Sequence, residues 1–262
     1  MCSQQISPLP RGAAGRPILL AMGRVLAVLL LLSSCDRHHQ APTPAPAPRP
    51  PAGWWTLGAA ACPAETVLRG AAPPSGTALW CESAPGTREG PYASWHSGDR
   101  APALEALGLY RQGRRYGLWV RYYDDGARRL EQRYDRGALD GPQRSYYRDG
   151  TLATEGRFRA GLPDGVFRAY DRGGHLAGES QMRAGTGTMV EWAPDGWKVT
   201  AIHYVDGVRT GRAVRYREDG SVAEEGQYLT DMKQGLWIER GADGQVVHRA
   251  RYERGQRVEE RQ

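Results

Sequence analysis

Histidine, cysteine and the carboxylates are the residues here whose spacing could support chemistry. His38 and His39 are adjacent, while His96, His175, His203 and His248 are scattered. An adjacent pair in an unstructured segment chelates weakly at best, and no Cys or His spacing of a zinc site occurs. The chain also lacks a G-x-S-x-G elbow, an HExxH pair and a P-loop. These absences lead to an expectation of no enzyme, no metal and no cofactor. What remains is four cysteines, at positions 2, 35, 62 and 81, and a set of Asp and Glu that recur at a fixed interval.

The charge balance narrows the partners. Among 262 residues, 35 Lys and Arg face 29 Asp and Glu, a formal charge of +6. Arg11, Arg16 and Arg24 precede the first acidic residue, so without them 32 basic residues face 29 acidic ones. Mixed signs of that kind make no concentrated phosphate-binding patch, and nucleic acid is not expected as the partner. All aromatic residues fall at or after Trp54, and the hydrophobic fraction is only 40%. The folded part is therefore expected to start near Trp54 and to be thin, without a large enzyme-like core.

The first residues read as an address. The three arginines precede an unbroken apolar run, Val25–Leu32, too short to cross a bilayer but of the size of a signal-peptide core. Leu32-Ser33-Ser34-Cys35 follows and resembles the bacterial lipobox, which implies that Cys35 is acylated and becomes the first mature residue. Either Met1 or Met22 could initiate, and Asp36 resembles a signal that retains lipoproteins in the inner membrane. Residues 1–34 are thus expected to be a signal peptide. Residues 35–53 are expected to be a lipidated cysteine and a semi-rigid polyproline stalk, since Ala41–Ala52 reads APTPAPAPRPPA. With Cys2 and Cys35 assigned to the export segment, Cys62 and Cys81 form an even remainder and are expected to pair as a disulfide. That bond would staple a cap over residues 54–89.

Beyond it the chain repeats. Glycines at 117, 141, 165, 187, 211 and 235 are 24, 24, 22, 24 and 24 residues apart. Nine residues after each lies a turn glycine, Gly126, Gly150, Gly174, Gly196, Gly220 or Gly244, preceded by Asp in all but the Gly174 case. Five residues after the first glycine come Tyr122, Tyr146, Tyr170, Trp192 and Tyr216; seventeen after it come Tyr134, Phe158, Met182, Tyr204, Tyr228 and Tyr252. An earlier, diverged copy begins at Gly90 with Tyr92, Trp95 and Tyr110, and has an insertion around His96 to Pro102.

Each copy is too short for two helices and carries turn chemistry at its middle, so it is expected to be a β-hairpin. In Ala193-Pro194-Asp195-Gly196 the proline suits the first central position of a type I turn, and the glycine supplies the left-handed residue of a three-residue loop. That loop sets Tyr146 opposite Leu152, Tyr170 opposite Leu176 and Tyr216 opposite Val222. Strict alternation then sends Glu131, Glu155, Glu179 and Glu225 to the other face, together with Trp119, Phe167 and Trp237. About seven hairpins over residues 90–262 give an all-β fold, one elongated antiparallel layer of about 14 strands in which each hairpin buries its aromatics against its neighbours.

The pattern is specific enough to resemble a known family. Gly117-Leu-Trp119-Val-Arg-Tyr122-Tyr-Asp-Asp-Gly126, with Tyr134-Asp-Arg-Gly137, looks like the bacterial variant of the MORN repeat. The resemblance implies a non-catalytic β-repeat module that engages proteins or membranes, and some relatives carry an antitoxin label. The sequence departs from the pattern at Gln143, Met189 and Ala213, where the first aromatic is missing, and at Asp231, where the closing glycine is missing. Such gaps either loosen packing or mark where a partner lies. The leading expectation is a scaffold or binding protein, lipid-anchored in the cell envelope and outside the cytoplasm, with a protein partner. Three alternatives stand beside it: an immunity or antitoxin protein, glycan binding by the rings, and phospholipid binding through Arg128, Arg129, Arg144, Arg148, Arg212, Arg215 and Arg217.

Overall fold

Alternation with period two places one row of side chains on each side of a pleated strand, and each repeat half does form one. The computed structural model describes residues 49, 51, 53–97 and 103–258. The expected signal peptide (residues 1–34), Cys35, the His38–His39 pair and most of the expected proline stalk lie outside the described residues. Two short 3₁₀ turns over Trp54–Ala61, separated by Gly58 in a non-helical conformation, precede the strands. Strands follow as β1 (Val67–Ala71), β2 (Ala78–Ala84), β3 (Thr87–Trp95), β4 (Leu104–Arg111), β5 (Arg114–Tyr122) and β6 (Arg128–Asp135). Next come β7 (Ala138–Tyr146), β8 (Leu152–Arg159), β9 (Leu162–Pro163), β10 (Gly165–Tyr170), β11 (Leu176–Arg183) and β12 (Thr186–Trp192). The last six are β13 (Lys198–Val205), β14 (Val208–Tyr216), β15 (Val222–Leu229), β16 (Met232–Arg240), β17 (Val246–Glu253) and β18 (Gln256–Val258).

All 18 strands of the described residues belong to one open antiparallel sheet. Each hydrogen-bonds the next in chain order, apart from β9 and β10, which both pair with β8 and amount to one strand interrupted at Asp164. The count exceeds the expected 14 because β1 and β2 carry the sheet through the cap, that interruption splits a strand, and β18 adds a short strand beside β17. The cap packs Trp54 against Leu79, Ala93 and Trp95. The expected disulfide is present, Cys62 to Cys81 at 1.99 Å.

Two turn types alternate along the sheet. At one edge the expected three-residue loop forms: the Gly150 N–H donates to Tyr147 O (3.0 Å), and the Tyr147 N–H to Thr151 O (2.9 Å). The Asp149 carboxylate accepts from the Thr151 N–H at 2.8 Å, which is why aspartate recurs before the glycine. Where Gly173 replaces that aspartate, Asp171 takes over and accepts from the His175 N–H at 2.9 Å. The three expected cross-strand pairs are all found, Tyr146 with Leu152, Tyr170 with Leu176 and Tyr216 with Val222. At the other edge two-residue turns have positive φ at both central residues, as at Arg136-Gly137 and Ala160-Gly161. Thr230-Asp231 keeps this conformation without glycine, and Arg209 donates to the Asp231 carboxylate through its backbone N–H (3.1 Å) and Nε (2.9 Å).

Both edges are bonded from repeat to repeat. The Gly137 N–H donates to Arg115 O and the Gly161 N–H to Leu139 O, at 2.9 and 2.8 Å. On the opposite edge the Tyr123 hydroxyl donates to Tyr146 O and the Tyr147 hydroxyl to Tyr170 O, both at 2.8 Å.

One expectation is overturned. Strict alternation sent the glutamates away from Tyr122, Tyr146 and Tyr170, but the register shifts by one residue beside each three-residue loop. Ser145 pairs with Thr154 while Tyr146 pairs with Leu152, so Ala153 is an extra residue in β8 and a bulge resets the parity. Glu155 pairs with Arg144, two residues from Tyr146, and therefore shares its face. The Tyr146 hydroxyl donates to Glu131 and the Tyr170 hydroxyl to Glu155, each at 3.0 Å. Trp119, Phe167 and Trp237 do lie opposite the Tyr122 row, but without those glutamates.

Candidate functional site

The two faces differ in chemistry. On the Tyr122 face the recurring glutamates sit between arginines from neighbouring strands. Arg144 and Arg168 approach Glu155 at 3.7 and 3.8 Å, while Arg212 and Arg240 approach Glu225 at 3.2 and 3.1 Å. The hydrogen bond from Arg240 holds the Glu225 carboxyl below its usual range against the opposing effect of burial, with Arg212 adding to it. Burial, then the Glu131 charge, raises the Tyr146 hydroxyl. The arginines considered for phospholipid are engaged internally: Arg128 with Glu131, Arg148 with Asp124 and Asp125, and Arg215 with Glu224. Arg217 donates to Val222 O, and Arg129 lies over the Tyr123 ring.

On the Trp119 face a single row crosses the sheet, and at three places along it a ring lies over a glycine. A Cβ on Gly108 would come within 2.2 Å of the Trp119 ring, one on Gly156 within 2.2 Å of Phe167, and one on Gly226 within 2.3 Å of Trp237. Each glycine is thus the seat of the ring on the next strand. At two of the three places where the ring is missing, the seat is filled instead. Gln143 stands opposite Gln132, and their amides bond at 2.7 Å. Ala213, only 4% exposed, stands opposite Ile202. These two departures are compensated within the sheet.

At either end of the row the rings close into clusters. Tyr92, Tyr110 and Tyr134 surround Trp119 at centroid distances of 5.4, 5.1 and 6.3 Å, and the Arg115 guanidinium lies 4.6 Å over the Trp119 ring. Burial opposes the Arg115 charge, but the hydroxyls of Tyr134 and Tyr110 outweigh it and hold its pKa above the ordinary value. Tyr228 and Tyr252 flank Trp237 at 5.2 and 6.4 Å, with Lys233 Nζ 3.9 Å from the ring centroid.

Between these clusters the face opens into a trough of about 510 Å³. Phe158, Phe167, Met189, Trp192, Ile202 and Tyr204 are among the residues that line it, and Gln143, Thr154, Arg168, Glu191 and Thr200 are among its polar ones. Its cause is the 22-residue repeat. Five residues separate Met182 from Gly187, where seven separate Tyr134 from Gly141, so the connector is two residues short. The β11–β12 ladder then holds only two pairs, Met182 with Gly187 and Arg183 with Thr186. Beyond them the Ser180 hydroxyl accepts from the Val190 N–H at 2.8 Å, and Trp192 packs over Gly178, where a Cβ would meet its ring at 2.0 Å. Met189 and Ile202 floor the space that a tryptophan fills elsewhere. Burial raises the Tyr204 hydroxyl.

Apart from Trp192, which lies over Gly178 at the trough, the repeat aromatics named from the sequence fall into two groups. Trp119, Tyr134, Phe158, Phe167, Tyr204, Tyr228, Trp237 and Tyr252 share the row face, whereas Tyr122, Tyr146, Tyr170 and Tyr216 share the glutamate face. Gly126, Gly150, Gly174, Gly196, Gly220 and Gly244 all occupy loops with positive φ. The trough itself was missed. Its signals were present, in the short spacing and in Met189, but the match of seat to ring needed the register. Among the described residues no three His, Cys, Asp or Glu side chains converge as metal ligands. No described helix is long and apolar enough to cross a membrane.

No curated protein matches the chain. Residues 139–160, which comprise nearly all of β7, the loop and β8, match the family described as the MORN repeat variant. The chain therefore carries a MORN repeat variant, set in one continuous sheet with hairpins that share its turns and register.

Proposed function

We propose that the protein is a non-catalytic lipoprotein of the bacterial cell envelope, anchored through Cys35, whose repeat sheet is a scaffold that binds a protein partner in the trough. The observation that carries the binding half is the trough. Along a row whose other positions are filled by a ring or by paired side chains, one place is left open, with apolar and aromatic lining, a few polar groups and ligand-pocket size. The anchoring half is supported by the run Val25–Leu32 and by Leu32-Ser33-Ser34-Cys35.

Two measurements test the halves separately. Cys35→Ser should move the protein from the membrane fraction to a soluble or unprocessed form, and unchanged fractionation and mass would remove the anchor. Met189→Trp should fill the trough as Trp119 and Trp237 fill their own positions. A partner cross-linked to the wild-type chain in intact envelopes should be lost from this variant while circular dichroism is unchanged. Equal capture by both would place binding elsewhere on the sheet.

A further inference from the structure

The edge formed by the two-residue turns repeats one hydrogen bond, and a single turn replaces it with positive charge. The first central residue of these turns has a φ of 45–52° from Gln112 to Arg254, so its backbone N–H is directed alike each time. The residue just before a repeat glycine accepts from it. Glu89 takes the Gln112 N–H at 2.6 Å, Asp140 that of Ala160 at 3.3 Å and Asp164 that of Ala184 at 3.1 Å. Thr186 and Gln234 serve Asp206 and Arg254 in the same way, at 3.1 Å each. For Arg136 the position is held by Tyr116, and among the described residues the Arg136 N–H has no acceptor. The Thr230 N–H also lacks one, but there the Asp231 carboxylate turns back onto Arg209 and closes the edge from within.

The open N–H stands among arginines. Arg111 and Arg114 are cross-strand partners, and the Arg111 guanidinium lies 3.8 Å from the centroid of the Tyr116 ring. The next turn adjoins them, since a Cβ on Gly137 would stand 3.5 Å from that of Arg114. Arg111, Gln112, Arg114, Tyr116, Asp135 and Arg136 line a cleft of about 500 Å³. Three guanidinium groups thus meet one carboxylate, Asp135, and among the described residues none of the three has an ion-pair or hydrogen-bond partner. Like charges at directly opposed strand positions repel, so the edge gains when an anion enters.

The geometry points to a binding site for a carboxylate side chain of an acidic peptide segment, seated on the Arg136 N–H as Asp140 and Asp164 are seated on the N–H groups of Ala160 and Ala184. Such a carboxylate accepts from the backbone N–H and from a guanidinium, and charge-assisted bonds of this kind are roughly twice as strong as neutral ones. Arg111 is ordered on the Tyr116 ring before the ligand arrives, which lowers the freedom lost on binding. An acidic side chain is favoured over a lipid phosphate because carboxylate is the group that Glu89, Asp140 and Asp164 bring to this position. The cleft shares no lining residue with the trough, so the two sites stand or fall separately.

A tetra-glutamate peptide, acetylated and amidated at its ends, tests the site when titrated into the full chain at low salt, with tetra-glutamine as the control. The glutamate peptide should bind saturably and shift the Arg136 backbone amide resonance, and the glutamine peptide should do neither. Tyr116→Asp supplies the carboxylate that the sheet has at Asp140 and Asp164. It should fill the site from within and weaken binding severalfold with circular dichroism unchanged. Arg136→Gln should weaken it as well, whereas Tyr116→Phe, which keeps the ring under Arg111, should leave it intact. Absence of binding, equal affinity in wild type and Tyr116→Asp, or shifts confined to other amides would each overturn the site. Phosphatidylserine vesicles that bind where the peptide does not would assign the cleft to a lipid headgroup and overturn it too.

Discussion

Replacing Gly226 should reveal how rings and seats are matched along the Trp119 face. Gly226 lies in β15 and has no positive φ, so alanine there suits the backbone and would ordinarily gain a few tenths to about 1 kcal/mol. Its Cβ, however, would stand 2.3 Å from Trp237, a side chain 6% exposed and wedged between Tyr228 and Tyr252. The ring must retreat by about 1 Å to regain ordinary contact, and overpacking of this kind costs about 1–3 kcal/mol. Gly226→Ile should cost more, because the ring must then leave its seat. Truncation alone, Trp237→Ala, should cost about 3–5 kcal/mol. The double change Gly226→Ile with Trp237→Ala rebuilds the Ile202–Ala213 pair that the sheet already contains. It should lie well above the sum of the single losses, with a coupling of about 1–3 kcal/mol. Urea unfolding followed by circular dichroism, compared as midpoints because a repeat array need not unfold in two states, measures all four chains. Strict additivity of the single changes would refute the idea that glycine and ring are chosen for each other.

Three further outcomes are expected. Deleting Gly141–Asp164 joins Asp140 to Gly165, which has nearly the φ of Gly141 (116° against 120°), so the chain should keep β-rich circular dichroism, whereas deleting Gly141–Thr151 should aggregate. In the first deletion Phe167 meets Gln132 instead of Gly156, and Gln132→Gly should restore part of any lost stability; no rescue would argue against the row. Cys81→Ser should loosen the cap by about 3 kcal/mol, read as a urea transition of tryptophan fluorescence earlier than that of the array. Glu225, lowered in the fold, contributes stability that is present above the ordinary glutamate value of 4.5 and is lost as pH falls below it. The stability difference between wild type and Glu225→Gln should accordingly shrink from about pH 5 to pH 3, and a constant difference would remove the ion pair from the account.

Much of the fold was legible because it is decided locally. The period, the three-residue loops and the pairs Tyr146–Leu152, Tyr170–Leu176 and Tyr216–Val222 follow from which residues tolerate a left-handed conformation, and that constraint acts within a few bonds. The pairing of Cys62 with Cys81 followed from counting cysteines. Face assignment was not legible beyond the first bulge. One unpaired residue, such as Ala153, reverses everything downstream in its strand, and only bonds to the neighbouring strands decide where it sits. The seats behave likewise: Gly156 and Phe167 are eleven residues apart, and nothing local says that one holds the other. The trough arises from both levels. The sequence alone determined that one repeat is two residues short and that Met189 stands where tryptophan stands elsewhere. That the shortened connector ends the β11–β12 ladder after two pairs and leaves the vacated space open on one face is settled in the folded sheet, because ladder bonds and ring packing act between strands rather than along the chain.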